Sequence, residues 1–131
     1  MTATEYISQQ LPERQPIMTA LHDAIMANDK TVVSVVEPMM GKEMIIYKEA
    51  TTMKYALSGV KAHISLHCLP MYMNPTIHQK YEPLLPLAKF QKGCVNFTFE
   101  EAMPMEIATQ LIADCAGISI VAMLENRKKK K

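Results

Sequence analysis

Alternating and periodic apolar positions divide the chain into strands in the middle and helices towards the ends. Between Gly41 and Pro70, three short runs with alternating or apolar character follow one another, at 43–48, 53–57 and 63–68. Only four or five residues separate them. Gaps this short join antiparallel neighbours, because parallel strands need a crossover of about a dozen residues. The pattern therefore predicts a meander of three antiparallel strands.

Two further runs complete a predicted sheet of about five strands. The segment 31–36 (TVVSVV) is rich in β-branched residues, and 94–99 alternates apolar and polar side chains. Elsewhere, apolar residues recur at three- and four-residue steps after Pro16 and again after Pro104, as they do in amphipathic helices. We therefore predict an α+β fold in which N- and C-terminal helices pack on one face of an antiparallel sheet.

Alternation along the meander also predicts which side chains face the helices, since successive strand residues point to opposite faces. Eight residues are expected in the core: Met44, Ile46, Met53, Tyr55, Leu57, Ile64, Leu66 and Cys68. The opposite face is expected to be uncovered and half-polar. It supplies the predicted surface for a ligand or partner, which consists of Tyr47, Lys54, His63 and His67.

The two histidines of this surface do not predict a metal site. His63 and His67 are four residues apart on one strand face, which separates them by about 13 Å at a strand's usual rise. Metal–nitrogen bonds are only about 2 Å long. We therefore predict no metal site and no cofactor, and we expect the two rings to make separate contacts. The sequence also places no histidine beside Cys94, so it offers no nucleophile–base pair and predicts a binding domain rather than an enzyme.

Composition and charge narrow the class of protein. The 131 residues suit one domain, predicted at 1–126, followed by a basic, disordered tail at 127–131 that holds five of the 14 basic residues. In 1–126 acidic residues outnumber basic ones, so nucleic acid is not an expected partner. Three scattered cysteines suit a reducing compartment. No apolar run approaches the roughly 18 residues of a membrane span, and the first residues do not resemble a signal peptide. We expect a cytoplasmic protein without a membrane partner.

Two motifs resemble those of a known family. They are K-x-H-I-x-L-x-x-L-P at 61–70 and K-F-x-K-G-x-V-x-F at 89–97, followed by a helix that begins with a proline. Together with the order of elements over residues 3–120, they resemble the YdhG-like family, which is mainly known as a domain of unknown function. The resemblance implies a frataxin-like fold, with an antiparallel sheet covered on one face by terminal helices.

Two functions are therefore expected from the sequence and the resemblance. The first is a small cytoplasmic binding or interaction domain that presents its uncovered sheet face to an unknown small ligand or protein partner. The alternative, implied by the resemblance, is an intracellular iron-binding chaperone of the frataxin type. An iron surface of that type uses carboxylates on the first helix and first strand, where this chain carries Glu5, Glu13, Asp23, Asp29 and Glu37.

Overall fold

One sheet of antiparallel strands forms the centre of the protein. The computed structural model describes residues 1–39, 41–60, 63–91 and 93–129. The strands are β1 (Val32–Met39), β2 (Lys42–Glu49), β3 (Thr52–Gly59), β4 (Ile64–Cys68), β5 (Lys89–Gln91) and β6 (Cys94–Phe97). They lie side by side in the order β1-β2-β3-β4-β6-β5. The strand β6 therefore lies between β4 and β5.

Helices precede, interrupt and follow the strands. They are α1 (Ala3–Ser8), α2 (Gln15–Asn28), α3 (Leu69–Met73), α4 (Pro75–Tyr81), α5 (Met105–Ala116) and α6 (Ile120–Lys129). Short 3-10 turns occupy Pro12–Arg14, Glu82–Leu84 and Glu100–Ala102. Within the described part of the chain, none of the helices has both the length and the apolar character needed to cross a membrane.

The predicted meander is confirmed, because β2, β3 and β4 are consecutive antiparallel neighbours. β1 extends the sheet on one side and pairs with β2 along its whole length. β6 and the short β5 extend it on the other side. The α+β architecture and the approximate number of strands are therefore as predicted. The short strand β5 is an addition that the sequence pattern did not indicate.

The terminal helices bury the apolar stripes that the sequence predicted. The stripe of α2 comprises Ile17, Met18, Leu21 and Ile25, and that of α5 comprises Ala108, Leu111, Ile112 and Cys115, all of them buried. Burial of a large apolar side chain contributes roughly 1.5–3 kcal/mol. At the start of α1, Thr2 and Glu5 form a capping box, in which each side chain accepts a hydrogen bond from the other residue's backbone N–H.

The two faces of the sheet differ in what covers them. One face, which we call the covered face, carries Ile45, Tyr47, Tyr55 and Leu57 into a core shared with the helices. On the other, which we call the open face, residues of β1, β2 and β3 form a second apolar cluster. These residues are Met44, Ile46 and Ala56, with Val35, Met39 and Met53 around them.

The predicted orientation of β2 is wrong. Met44 and Ile46 are expected in the main core but lie on the open face, and Ile45 and Tyr47 face the helices instead. The physical reason is that β2 is buried at four consecutive positions, 44–47, so alternation does not distinguish its faces. The placement of Met53 in the main core is also wrong, since it packs on the open face. The other five core predictions, Tyr55, Leu57, Ile64, Leu66 and Cys68, are confirmed.

The C-terminal segment also differs in part from its prediction. Helix α6 continues through residues 127–129, whereas the sequence predicts a disordered tail from residue 127. Lys130 and Lys131 lie outside the described residues. Helical order therefore extends at least three residues into the basic run.

Candidate functional site

Tyr47, predicted on the open face, is fully buried on the covered face. Its hydroxyl lies 2.7 Å from Nδ1 of His22 on α2, and its ring meets that of Tyr55 edge-on. Burial raises the pKa of Tyr47 above its usual range and lowers the pKa of His22. Both groups are therefore neutral near pH 7, and the contact is a partly buried hydrogen bond. Tyr47 cannot contact a ligand on the open face, so its predicted role there is wrong.

Lys54 is likewise predicted on the open face and is fully buried on the covered face. Its Nζ lies 2.7 Å from Oδ2 of Asp29, the C-cap residue directly after α2, and 3.7 Å from Oε1 of Glu49. The hydroxyl of Tyr55 donates to the same Oδ2 at 2.8 Å. We call Asp29, Glu49, Lys54 and Tyr55 the closed cluster. Its burial removes Lys54 from the predicted ligand surface.

A β-bulge accounts for the unexpected direction of Lys54. Tyr47 pairs with Tyr55, but the next residue, Lys48, pairs with Met53, so Lys54 is an extra residue in β3. An extra residue interrupts the alternation of side chains along a strand. Lys54 and Tyr55 therefore both reach Asp29 on the covered face, and Met53 is shifted to the open face.

Asp29 is stabilised as a carboxylate although it is only 2% exposed. Burial alone would raise its pKa, but hydrogen bonds from Lys54, Thr31 and Tyr55 outweigh burial and hold the pKa of Asp29 below its ordinary 3.8. The backbone N–H and the hydroxyl of Thr31 donate to Oδ1 at 3.0 and 2.5 Å. A buried charge with this many partners is a structural element of the core rather than a group free to bind a ligand.

Glu49 connects the closed cluster to the last helix. Its carboxylate accepts hydrogen bonds from the hydroxyl of Ser119 at 2.5 Å and from the N–H of Ile120 at 3.0 Å. These groups lie at the start of α6, where a carboxylate satisfies a free N–H and complements the helix dipole. The end of β2 therefore anchors α6.

The open face carries a thiol and an imidazole in direct contact. His67 and Cys94 pair across β4 and β6, and Nδ1 of His67 lies 2.8 Å from Sγ of Cys94. Both residues are half-buried. Burial lowers the pKa of His67 and raises the pKa of Cys94. The favoured form is therefore a neutral thiol beside a neutral imidazole, with the S–H donating to Nδ1.

A chain of hydrogen bonds runs beside this pair. The hydroxyl of Ser65 donates to Oδ1 of Asn96 at 2.5 Å, and Nδ2 of Asn96 donates to Oε1 of Gln91 at 3.2 Å. These bonds join β4, β6 and β5 across the open face and fix the orientation of the Asn96 amide. We call His67, Cys94, Ser65, Asn96 and Gln91 the open cluster.

A groove of about 460 Å³ opens next to this cluster, at the β5–β6 edge of the sheet. We call it the edge groove. Lys89 is exposed in it, and no ion pair between described residues involves that lysine. Leu87, on the groove wall, is 61% exposed. The lining residues are His63, Leu87, Ala88, Lys89, Gln91, Asn96, Phe97 and Thr98.

The four predicted surface residues thus divide among three places. His63 lines the edge groove, His67 belongs to the open cluster, and Tyr47 and Lys54 are in the core. Sequence reasoning missed Cys94 as the partner of His67. The available signal was that both residues occupy the polar side of an alternating strand, but their contact depends on the pairing of β4 with β6, which are separated by two helices and β5.

The side chains of the open cluster are suited to ligand binding and thiol chemistry more than to metal binding. In the described part of the chain, no group of three or more His, Cys, Asp or Glu side chains could hold a metal ion. The contact between His67 and Cys94 has the length of a hydrogen bond. The open cluster and the neighbouring Lys89 present an imidazole, a thiol, a hydroxyl, two amides and an ammonium.

Comparison with known proteins identifies no relative. No family model, no curated protein and no solved structure matches the chain. The resemblance to the YdhG-like family therefore stays a prediction from two motifs. Two of the motif positions, Lys61 and Lys92, lie outside the described residues.

Proposed function

We propose that this protein is a binding domain that takes up a small ligand in the edge groove. The ligand carries an anionic or hydrogen-bond-accepting group, which faces Lys89 and His63. Its apolar part packs against Leu87 and Ala88. The observation that carries this proposal is the presence of an unpaired cation, among the described residues, and an exposed leucine in one groove.

The size and lining of the edge groove support this proposal. Its volume of about 460 Å³ lies within the range of roughly 300–1,000 Å³ that is typical of small-molecule sites. Such sites combine apolar walls with a few polar groups that orient the ligand. Here Asn96 has both amide atoms engaged, by Ser65 and Gln91, and therefore supplies a fixed wall.

The charge of Lys89 favours an anionic ligand. An exposed ammonium is strongly hydrated and binds anions as a point charge rather than in one fixed geometry. A carboxylate or phosphate in the groove would gain a charge-assisted hydrogen bond with Lys89. We therefore propose that the edge groove binds small anions that carry an apolar part, rather than uncharged apolar ligands.

A titration followed by heteronuclear NMR tests the proposal. The probes are benzoate, which is anionic and aromatic, and benzyl alcohol, which has the ring without the charge. We expect benzoate to shift the backbone amide signals of Lys89, Gln91 and Asn96 in a saturable way, and benzyl alcohol to bind more weakly. The substitution Lys89→Glu should weaken benzoate binding by about tenfold or more, which corresponds to about 1.4 kcal/mol.

The matched control is Lys42→Glu, which makes the same charge change at an exposed lysine of β2. It should leave benzoate binding unchanged, since Lys42 does not line the groove. Equal weakening by both substitutions would show a general charge effect. An absence of shifts at the groove amides would reject the edge groove as the site.

The iron-chaperone alternative stays a prediction. No observation in the described chain favours it over the edge groove, and the acidic residues expected to carry it include Asp29, whose carboxylate is buried in the closed cluster. Anaerobic titration with Fe(II) tests this alternative. Binding weaker than about millimolar would remove it, since that corresponds to only about 4 kcal/mol of binding free energy.

A further inference from the structure

Ligand binding in the edge groove does not involve the contact between Cys94 and His67. This contact has a chemical consequence of its own. A nucleophile with a base within hydrogen-bond distance is the usual signature of an activated side chain. Here Sγ and Nδ1 are 2.8 Å apart. Both residues are half-buried, so the pair is partly protected but still accessible from the open face. A thiol in this setting can react with small molecules.

We propose that Cys94 is a reactive thiol that forms mixed disulfides with low-molecular-weight disulfides, with His67 as its base. The class of substrate is a small disulfide, R–S–S–R′, that approaches from the open face. The product is a protein modified at Cys94 and one free small thiol. This inference does not depend on which ligand occupies the edge groove.

The reaction balances without any further oxidant. Nδ1 of His67 takes the proton from Sγ of Cys94 as Sγ attacks one sulfur of the disulfide. The bond between Sγ and that sulfur forms while the original S–S bond breaks. The electron pair of the broken S–S bond leaves with the second sulfur. That sulfur takes the proton from Nδ1 and departs as R′–SH. Cys94 is oxidised to the disulfide level, and one sulfur of the small molecule is reduced.

Disulfide exchange suits this site better than acyl transfer does. Acyl transfer develops a negative oxygen that needs preorganised donors close to the nucleophile. The amide of Asn96 on the open face is already engaged by Ser65 and Gln91. In disulfide exchange negative charge develops only on sulfur. The reaction therefore needs a base for the thiol proton but no donors for a negative oxygen.

The other two cysteines provide an internal contrast. Cys68 and Cys115 are both 0% exposed, in the main core. They can react only when the protein opens, whereas Cys94 lies on the open face. The pKa of Cys68 is raised by its hydrogen bond with Cys115 and by burial, and burial also raises the pKa of Cys94. Cys94 therefore differs from Cys68 in its exposure and in its contact with His67. A native protein should therefore show one reactive thiol out of three.

The test uses dithiodipyridine, whose released thiopyridone is followed by absorbance. At neutral pH we expect the native protein to release one equivalent rapidly, and Cys94→Ser to abolish this phase. His67→Gln should slow it by about tenfold or more, as is typical for loss of a general base. Incubation with glutathione disulfide, followed by peptide mass mapping, should place a single adduct on Cys94.

The control variant is His78→Gln, which removes a histidine of α4 that contacts Phe90 rather than Cys94 and does not line the edge groove. Its reaction rate should equal that of the unmodified protein. The inference is overturned if the rapid phase persists in Cys94→Ser, if no rapid phase exists, or if His67→Gln reacts as fast as the unmodified chain at every pH. If His67→Gln does not fold, His67→Asn and the pH profile of the unmodified protein replace it.

The pH profile separates a base from a merely structural histidine. The rate for the unmodified protein should fall as His67 becomes protonated, because an imidazolium cannot accept the thiol proton. Above the pKa of the thiol, the rates of His67→Gln and of the unmodified protein should converge, since the thiolate no longer needs a base. Other ionisable groups on the neighbouring strands are Lys54, Tyr55 and Cys68, on the covered face, and Lys89 on β5.

Discussion

The closed cluster and the open cluster lie on opposite faces of the same sheet, and both contain ionisable side chains in contact. In the closed cluster, Lys54 and Asp29 are 0% and 2% exposed, and every charge has a partner within the protein. In the open cluster, His67 and Cys94 are half-buried and neutral, and solvent can reach them. The first arrangement holds elements of the fold together, whereas the second leaves its chemistry available.

This difference shows that a charged side chain does not by itself identify the face of a sheet that binds a ligand. Lys54 has the more conspicuous charge, yet its partners are supplied by α2 and β2. Removing one partner of a buried ion pair leaves an uncompensated charge, which is costly. Changing a half-exposed neutral side chain has a smaller cost, because water can replace the lost contacts. The two clusters should therefore respond differently to substitution.

The largest effect should come from removing the Lys54 ammonium. We expect Lys54→Ala to lower the free energy of unfolding by about 3–5 kcal/mol, because the Asp29 carboxylate is then buried without its cation. Urea unfolding followed by circular dichroism measures this. The matched control is Lys48→Ala, which breaks an ion pair with Glu37 whose side chains are 28% and 45% exposed. It should cost about 0–1 kcal/mol, and equal losses in the two variants would contradict a sealed cluster.

The fold of the chain could be predicted from the sequence to a large extent. The short gaps between the three central runs predicted the antiparallel meander. The three- and four-residue spacing of apolar residues predicted α2 and α5. These features depend on local sequence, which is why they could be recognised without tertiary information. In β4 the strict alternation of Ile64, Leu66 and Cys68 with polar residues assigned the faces correctly.

The candidate site was less predictable, for two physical reasons. Lys54 was misplaced because a bulge changes the alternation of β3, and the sequence does not show where the extra residue enters. The contact of His67 with Cys94 depends on a pairing between β4 and β6, which are distant in sequence. Such non-local registers follow from the packing of the whole sheet and not from a local pattern.

A smaller effect should come from the tyrosine hydroxyls on the covered face. Tyr55 donates to the charged Asp29 at 2.8 Å, so Tyr55→Phe should cost about 1.5–3 kcal/mol of unfolding free energy. Tyr47 contacts the neutral ring of His22, so Tyr47→Phe should cost about 0.5–1.5 kcal/mol. Both residues are fully buried, so the same urea titrations compare them directly. A larger loss for Tyr47→Phe would show that the charge of Asp29 does not govern the closed cluster.

The smallest effect should be the pH dependence of stability, which differs between the clusters. Asp29 has a pKa below its ordinary 3.8. Its contribution is therefore complete above that value and is lost as pH falls through the lowered pKa. Burial places the pKa of His67 below its ordinary 6.5. The unfolded chain therefore takes up the proton first, and stability begins to fall once pH drops below about 6.5.

Thermal unfolding from pH 8 to pH 3 separates these two windows. We expect His67→Gln to flatten the decline that begins near pH 6.5, and Asp29→Asn to reduce the steeper decline at acid pH. His22 also has a pKa lowered by burial, so His22→Gln is the necessary companion and should remove a separate part of the first decline. An unchanged decline in His67→Gln would mean that its ring remains well solvated in the folded state. The open cluster would then be less protected than its half-buried geometry indicates.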